Sequence, residues 1–238
     1  FLLGDSHMIT LGKPLYDYTK KNKINFITMT NGGCYFFPDF DYVNLKTKNV
    51  GFGCDKKYQL SRINEILNKK NSIIIIGGNL NRYLSNTSLN GLTSDFIFNN
   101  SDLTFIQSFK GNLNKILLNN KVILIYPIPE IPFNPLTEIY KKSNSFNYND
   151  LKDHVKKNEL TTPLIDYIDR SKDAFKFLDT LRNDNLFKIY PHKTFCNDIN
   201  CFVHDTNNLF YFDNEHLSIS GANKLNKLII KKIEEIKF

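Results

Sequence analysis

Two short stretches at opposite ends of the chain carry residue types that together could make or break an ester. Near the start an apolar run closes on Gly4-Asp5-Ser6-His7; near the end the last helix is entered through Asp213-Asn214-Glu215-His216-Leu217. A serine hydroxyl is a weak nucleophile until a base removes its proton, and a histidine base works best when a carboxylate orients it. On a turn leading into a helix, the Asp and His of Asp-x-x-His can converge on one point. Ser6 is thus the candidate nucleophile, His216 the general base and then acid, and Asp213 the carboxylate that fixes the tautomer of His216. The first block also has a plainer reading, since Asp and Ser at a strand-to-helix junction serve as N-caps. Asp5 is the competing carboxylate, but its place beside Ser6 suits hydrogen bonds to backbone amides that shape the turn. His7 is expected to point away from Ser6. His154, His192 and His204 lack triad partners in sequence and read as surface residues. No His, Cys and Asp cluster has metal-ligand spacing, so no metal is expected.

The elements that must position these groups follow from hydrophobic period. Apolar runs mark strands at Phe1 to Gly4, Ile24 to Met29, Ser72 to Ile76, Val122 to Tyr126 and Phe187 to Tyr190. Helical patterns lie between and after them, at Leu11 to Asn22, Asp55 to Asn68, Leu103 to Leu118, Pro163 to Arg182 and Ser220 to Ile236. This alternation predicts an α/β fold: a flavodoxin-like, doubly wound, mainly parallel sheet with helices on both faces. Ligands in such folds sit beyond the carboxyl ends of the strands, and Ser6 follows directly on such an end. Residues 130 to 160 break the pattern. They contain Pro132 and Pro135, then Lys141-Lys142-Ser143-Asn144-Ser145, and read as a long insertion or lid, or as a floppy loop, within one domain spanning residues 1–238.

The chain has 238 residues, enough for one large domain, and its 41% apolar and 23% charged content is ordinary for a globular protein. No apolar run approaches the roughly 18 residues of a spanning helix, so no transmembrane segment is expected. Phe1-Leu2-Leu3 reads as a buried central strand, and a start on such a strand suggests a domain excised from a larger protein. The formal charge is +7. Its lysines are scattered in pairs (Lys20-Lys21, Lys56-Lys57, Lys141-Lys142, Lys231-Lys232), which suits a solvated surface rather than a nucleic-acid-binding stripe. Anionic polysaccharide or lipid headgroups stay compatible with it.

The first and last blocks resemble those of the SGNH (GDSL-type) hydrolase superfamily. More narrowly, the chain resembles the SGNH domain linked to membrane acyltransferase-3 type enzymes that O-acetylate bacterial surface sugars. That likeness rests on Leu2-Leu3-Gly4-Asp5-Ser6-His7, on Tyr126-Pro127-Ile128-Pro129-Glu130-Ile131-Pro132, on Phe212-Asp213 through His216-Leu217-Ser218-Ile219-Ser220-Gly221-Ala222, and on the pair Cys196 and Cys201. It implies serine-dependent acetyl transfer to a cell-surface polysaccharide such as O-antigen. No cofactor would be bound; the acetyl group, ultimately from acetyl-CoA, would come through a membrane acyltransferase domain in the same or a partner chain. A secreted carbohydrate esterase and a non-catalytic polysaccharide-binding domain are the alternatives.

The family's oxyanion hole combines the Ser backbone N–H with a glycine N–H and an Asn side chain from a Gly-x-Asn-Asp block. Here Ile76-Gly77-Gly78-Asn79-Leu80 keeps Gly-x-Asn but replaces the following Asp with Leu. Asn79 becomes the donor candidate, with Asn81 and Arg82 as substitutes, beside the N–H of Ser6 and that of Gly32 or Gly33. Both glycine pairs also read simply as tight strand-end turns. The four cysteines lack Cys-x-x-Cys spacing and could be reduced, partly buried thiols. The resemblance, in which cysteines recur at such places, favours two disulfides paired by neighbourhood, Cys34 with Cys54 and Cys196 with Cys201, and a periplasmic location.

Overall fold

A computed structural model describes residues 1–85, 95–99 and 101–237. Its centre is a five-stranded parallel sheet built from β1 (Leu2–Gly4), β2 (Thr28–Thr30), β4 (Ile73–Ile76), β6 (Lys121–Ile125) and β8 (Leu186–Ile189), in the spatial order β2-β1-β4-β6-β8. Counting only these strands, the order is the flavodoxin-like 2-1-3-4-5, and the chain reverses its winding direction between β1 and β4. The α/β architecture expected from the alternating pattern is the one observed.

Because side chains alternate along a strand, the sheet has two cores. Leu3, Ile74, Ile76, Val122 and Leu124 face α2 (Lys56–Leu67), α4 (Phe105–Leu117) and α7 (Leu164–Thr180) through Ile63, Ile66, Phe109, Leu113, Ala174 and Phe177. Leu2, Ile75, Ile123 and Ile125 face α1 (Ser6–Lys21) and α9 (Ile219–Glu235) through Met8, Leu11, Leu15, Ala222, Leu225 and Ile229. Helices therefore cover both faces. Among the described residues no helix is long and apolar enough to cross a membrane.

Several element boundaries differ from the sequence expectation. Helix α1 begins at Ser6, five residues before Leu11, because the Asp5 side chain accepts the His7 N–H and caps it. Strand β2 covers only Thr28–Thr30 of the apolar run from Ile24. Ile24 is spent on the end of α1, where its N–H bonds the Thr19 carbonyl. Two short antiparallel pairs carried too little pattern to be read: β3 (Asp41–Asn44) with β5 (Phe96–Asn99), and β7 (Thr161–Pro163) with β9 (Asn200–Phe202). The first packs as an aromatic layer, with Tyr42 stacked on Phe96 and edged by Phe37, Tyr83 and Phe98. Four further short or lateral helices lie among the described residues: α3 (Leu80–Ser85), the pair α5 (Pro135–Ser143) and α6 (Tyr148–Lys157), and α8 (His192–Phe195). Residues 130–160 thus hold a helical hairpin, with Ile139, Leu151 and Val155 packed on the α1–α9 core.

Both disulfides join sequence neighbours, Cys34 with Cys54 and Cys196 with Cys201, and no described cysteine is free. The first bridge spans 20 residues and the second five. By loop-closure entropy the longer loop contributes more, roughly 3 kcal/mol against roughly 2.

Glycines discriminate the tight places from the open ones. Gly4 has φ +140°, and a Cβ there would sit 2.1 Å from the Gly77 carbonyl oxygen. Gly111, exposed inside α4, would meet nothing within 4 Å. Gly4→Ala should destabilise the protein by about 3 kcal/mol or more, whereas Gly111→Ala should stabilise it by up to about 1 kcal/mol. Urea denaturation of the two variants checks this, and equal midpoints would contradict it.

Candidate functional site

The site lies at the carboxyl ends of β1 and β4, on either side of the reversal point. Asp5 is 2% exposed and bridges the two strand ends: one carboxylate oxygen accepts the His7 N–H at 3.0 Å, the other the Asn79 N–H at 2.7 Å. Burial pushes its carboxyl up, although His7 and both backbone donors pull it down. Asp5 therefore does what its position suggested, shaping the turn through backbone amides. Ser6 is the first residue of the 16-residue α1, where unpaired N–H groups and the helix dipole favour negative charge.

The two ends of the chain meet at Ser6. Its Oγ lies 2.7 Å from Nε2 of His216, and Nδ1 of His216 lies 2.8 Å from a carboxylate oxygen of Asp213. The other Asp213 oxygen accepts the N–H groups of Glu215 and His216 at 2.9 and 2.7 Å, so the turn is built around this carboxylate. Burial alone would raise the Asp213 pKa. The two backbone N–H groups and the His216 ring outweigh it and hold the carboxyl below its ordinary value. With the carboxylate on Nδ1, the proton sits there and Nε2 is left to accept from Ser6. The Phe212 ring, about half exposed, stacks on His216 with centroids 5.4 Å apart and planes 16° apart.

The candidates for holding an oxyanion separate from one another. Asn79 is buried; its Oδ1 accepts the Arg82 N–H at 3.2 Å, and its Nδ2 donates to Glu215 at 3.0 Å, facing the turn that carries His216. Asn81 points elsewhere, donating to Ser171 of α7. The Gly32-Gly33 turn is held against the end of β1 by the bond from Asn31 N–H to the Gly4 carbonyl. Gly33 N–H is engaged by Asn31 Oδ1, which leaves Gly32 as the better amide of the pair.

Other residues surround the site, and some stand differently from the sequence expectation. His7 is 2% exposed, its Nε2 is 3.7 Å from Glu215, and its ring lies edge-on to that of His216 with centroids 5.2 Å apart. Burial disfavours the imidazolium, but Glu215, Asp5 and Glu130 outweigh that and raise the His7 pKa. The His7 ring is the chief reason that Glu215 is pulled down to about 2. Of the residues expected at the surface, His204 is buried as a structural joint, accepting the Leu160 N–H and bonding the Asp205 carbonyl. His192 is half-buried among Tyr167, Phe175 and Tyr190. Glu130, from the Tyr126–Pro132 block, is paired with Arg170 at 2.8 Å, and the Ile131 N–H bonds the Asn214 carbonyl. Glu215 sat in plain view between Asp213 and His216. Only the fold reveals that it reaches His7, just after β1, and Asn79, just after β4. Among the described residues no group of His, Cys, Asp and Glu could hold a metal.

A sheet of this order, with a serine, a histidine and a carboxylate in hydrogen-bonded series at its reversal point, defines an SGNH-type α/β domain. Residues 1–231 match the family described as SGNH domain (fused to AT3 domains), and the chain belongs to it. A solved structure of the periplasmic domain of a Salmonella ser. Paratyphi A lipopolysaccharide acetyltransferase is 19% identical, with a TM-score of 0.59 over 98% of this chain and 82% of that one. At that identity the likeness speaks for the fold. No curated protein matches the chain in sequence.

The His7–Glu215 pair has a pH consequence. A carboxyl held low when folded adds stability above its unfolded pKa and loses it as pH falls toward the folded value. For Glu215 that loss runs from about 4.5 down to about 2. Unfolding free energy should therefore rise between pH 3 and pH 6, and Glu215→Gln should flatten that rise. Urea titrations at the two pH values test it; identical slopes in both proteins would refute it.

Proposed function

We propose that this domain transfers acetyl groups to hydroxyls of a cell-surface carbohydrate, with Ser6 as nucleophile, His216 as general base and acid, and Asp213 as the orienting carboxylate. The observation that carries this reading is the 2.7 Å contact between Ser6 Oγ and His216 Nε2, with Asp213 on the far side of the ring, in a chain whose family is described as fused to AT3 domains. Ser6 Oγ attacks the acetyl carbonyl carbon while His216 takes its proton. The tetrahedral intermediate then expels the donor's alcohol, which receives that proton, and leaves acetyl-Ser6. A sugar hydroxyl, deprotonated by His216, attacks this ester; the O-acetyl sugar leaves and Ser6 regains its proton. The oxyanion would be met by the N–H of Ser6, the Asn79 side chain and the N–H of Gly32.

An open cleft of about 630 Å³ beside Phe212 is lined by the polar Thr10, Asn207 and Ser218 and by the apolar Leu209 and Ile219. An exposed aromatic ring beside small polar side chains suits a sugar acceptor. Two disulfides suit an extracytoplasmic compartment. A membrane acyltransferase domain, in the same chain or a partner, would deliver the acetyl group and tether this domain.

Ser6→Ala should abolish turnover of an activated acetyl ester while leaving the fold intact. Retention of more than about a tenth of the activity would sink the assignment, since loss of a triad member costs several orders of magnitude. Adding acceptor sugar to wild-type protein separates the two chemistries: acetylated sugar marks a transferase, and acetate alone marks an esterase.

A further inference from the structure

We propose that Glu215 is a positioning residue which, held by His7, fixes the side-chain amide of Asn79 for the oxyanion. This rests on the acetyl-transfer reading above and adds to it a brace at a position that the Asp-x-x-His pattern leaves unspecified.

A free asparagine amide can flip end for end, and only one orientation presents N–H groups to a developing negative charge. Both ends of the Asn79 amide are committed here. The Arg82 N–H holds Oδ1 at 3.2 Å, and Glu215 accepts from Nδ2 at 3.0 Å. An asparagine NH₂ has two hydrogens, so with one on Glu215 the second is left for another acceptor, and its direction is set. A lone carboxylate would be a poor choice of brace, because its charge opposes an oxyanion nearby. His7 answers that problem. It is buried, its Nε2 lies 3.7 Å from the same carboxylate oxygen that Asn79 bonds, and neither of its ring nitrogens has a hydrogen-bond partner among the described residues. As an imidazolium it cancels the charge of Glu215, leaving a neutral pair beside Ser6. Because Glu215 shares its turn with Asp213 and His216, the element that positions the base also orients the oxyanion donor.

The claim is tested by a double-mutant cycle with an activated acetyl ester as substrate. Asn79→Ala should lower kcat by about 100-fold. Glu215→Met, which keeps the volume but offers no oxygen, should lower kcat by about 10-fold or more with KM little changed. Glu215→Gln, which retains an acceptor oxygen, should recover most of that loss. If Glu215 acts through Asn79, Glu215→Met added to Asn79→Ala should cost less than about three-fold further. Multiplicative losses, or wild-type kcat in Glu215→Met, would overturn the proposal. Should Glu215→Met not fold, the NMR signal of the Asn79 side-chain amide decides: it should shift in Glu215→Gln, and an unmoved signal overturns the contact. Ser6→Ala run alongside separates the levels. An active Ser6→Ala enzyme removes the underlying reading, whereas a dead one with multiplicative losses removes only the brace.

Discussion

The buried carboxylate of Asp5 is the joint on which the site hangs. It stands between two strand ends that point the same way and would otherwise leave unpaired amides facing each other. With one oxygen on the helix that follows β1 and the other on the loop that follows β4, it sets the spacing of Ser6 and Asn79. The backbones come close enough there that Gly4, Gly77 and Gly78 have no room for a side chain. Burying an acid is costly, as the raised pKa of Asp5 records. Two backbone donors in a region closed to water are what make it tolerable.

The second dimension of the site, from Ser6 to His216, is set by helix packing. Ser6 starts α1 and His216 stands three residues before α9, and these two helices lie together on one face of the sheet. Asn226 of α9 donates to the Leu11 carbonyl of α1 at 3.1 Å, a polar pin inside an otherwise apolar contact. The opposite face carries the aromatic layer and the Cys34–Cys54 bridge, and among the described residues it meets the site through the loops after β2 and β4 and through Arg170 of α7, which holds Glu130 beside the Ile131–Asn214 bond.

What the sequence disclosed tracks how locally each feature is encoded. Strand and helix alternation, the parallel sheet and the Ser6, Asp213 and His216 set were legible because period and short motifs write them within a few residues. The start of α1 was misplaced because an N-cap depends on one side chain, and Asp5 could be read as either cap or acid. Strands β3 and β5 escaped because their pairing partner is more than fifty residues away and their aromatics carry no clean alternation. His204 was misread for the same reason: burial of a histidine is decided by whatever packs over it, which its sequence neighbours do not report.

Placing Ser6 and His216 a full 210 residues apart has a consequence for how such a protein is made. Ser6 is made 210 residues before His216, so a chain that stops short of His216 lacks half of the pair. The contact between them forms only where α9 lies against α1. On the mechanism proposed above, activity would report that the two halves of the domain have come together.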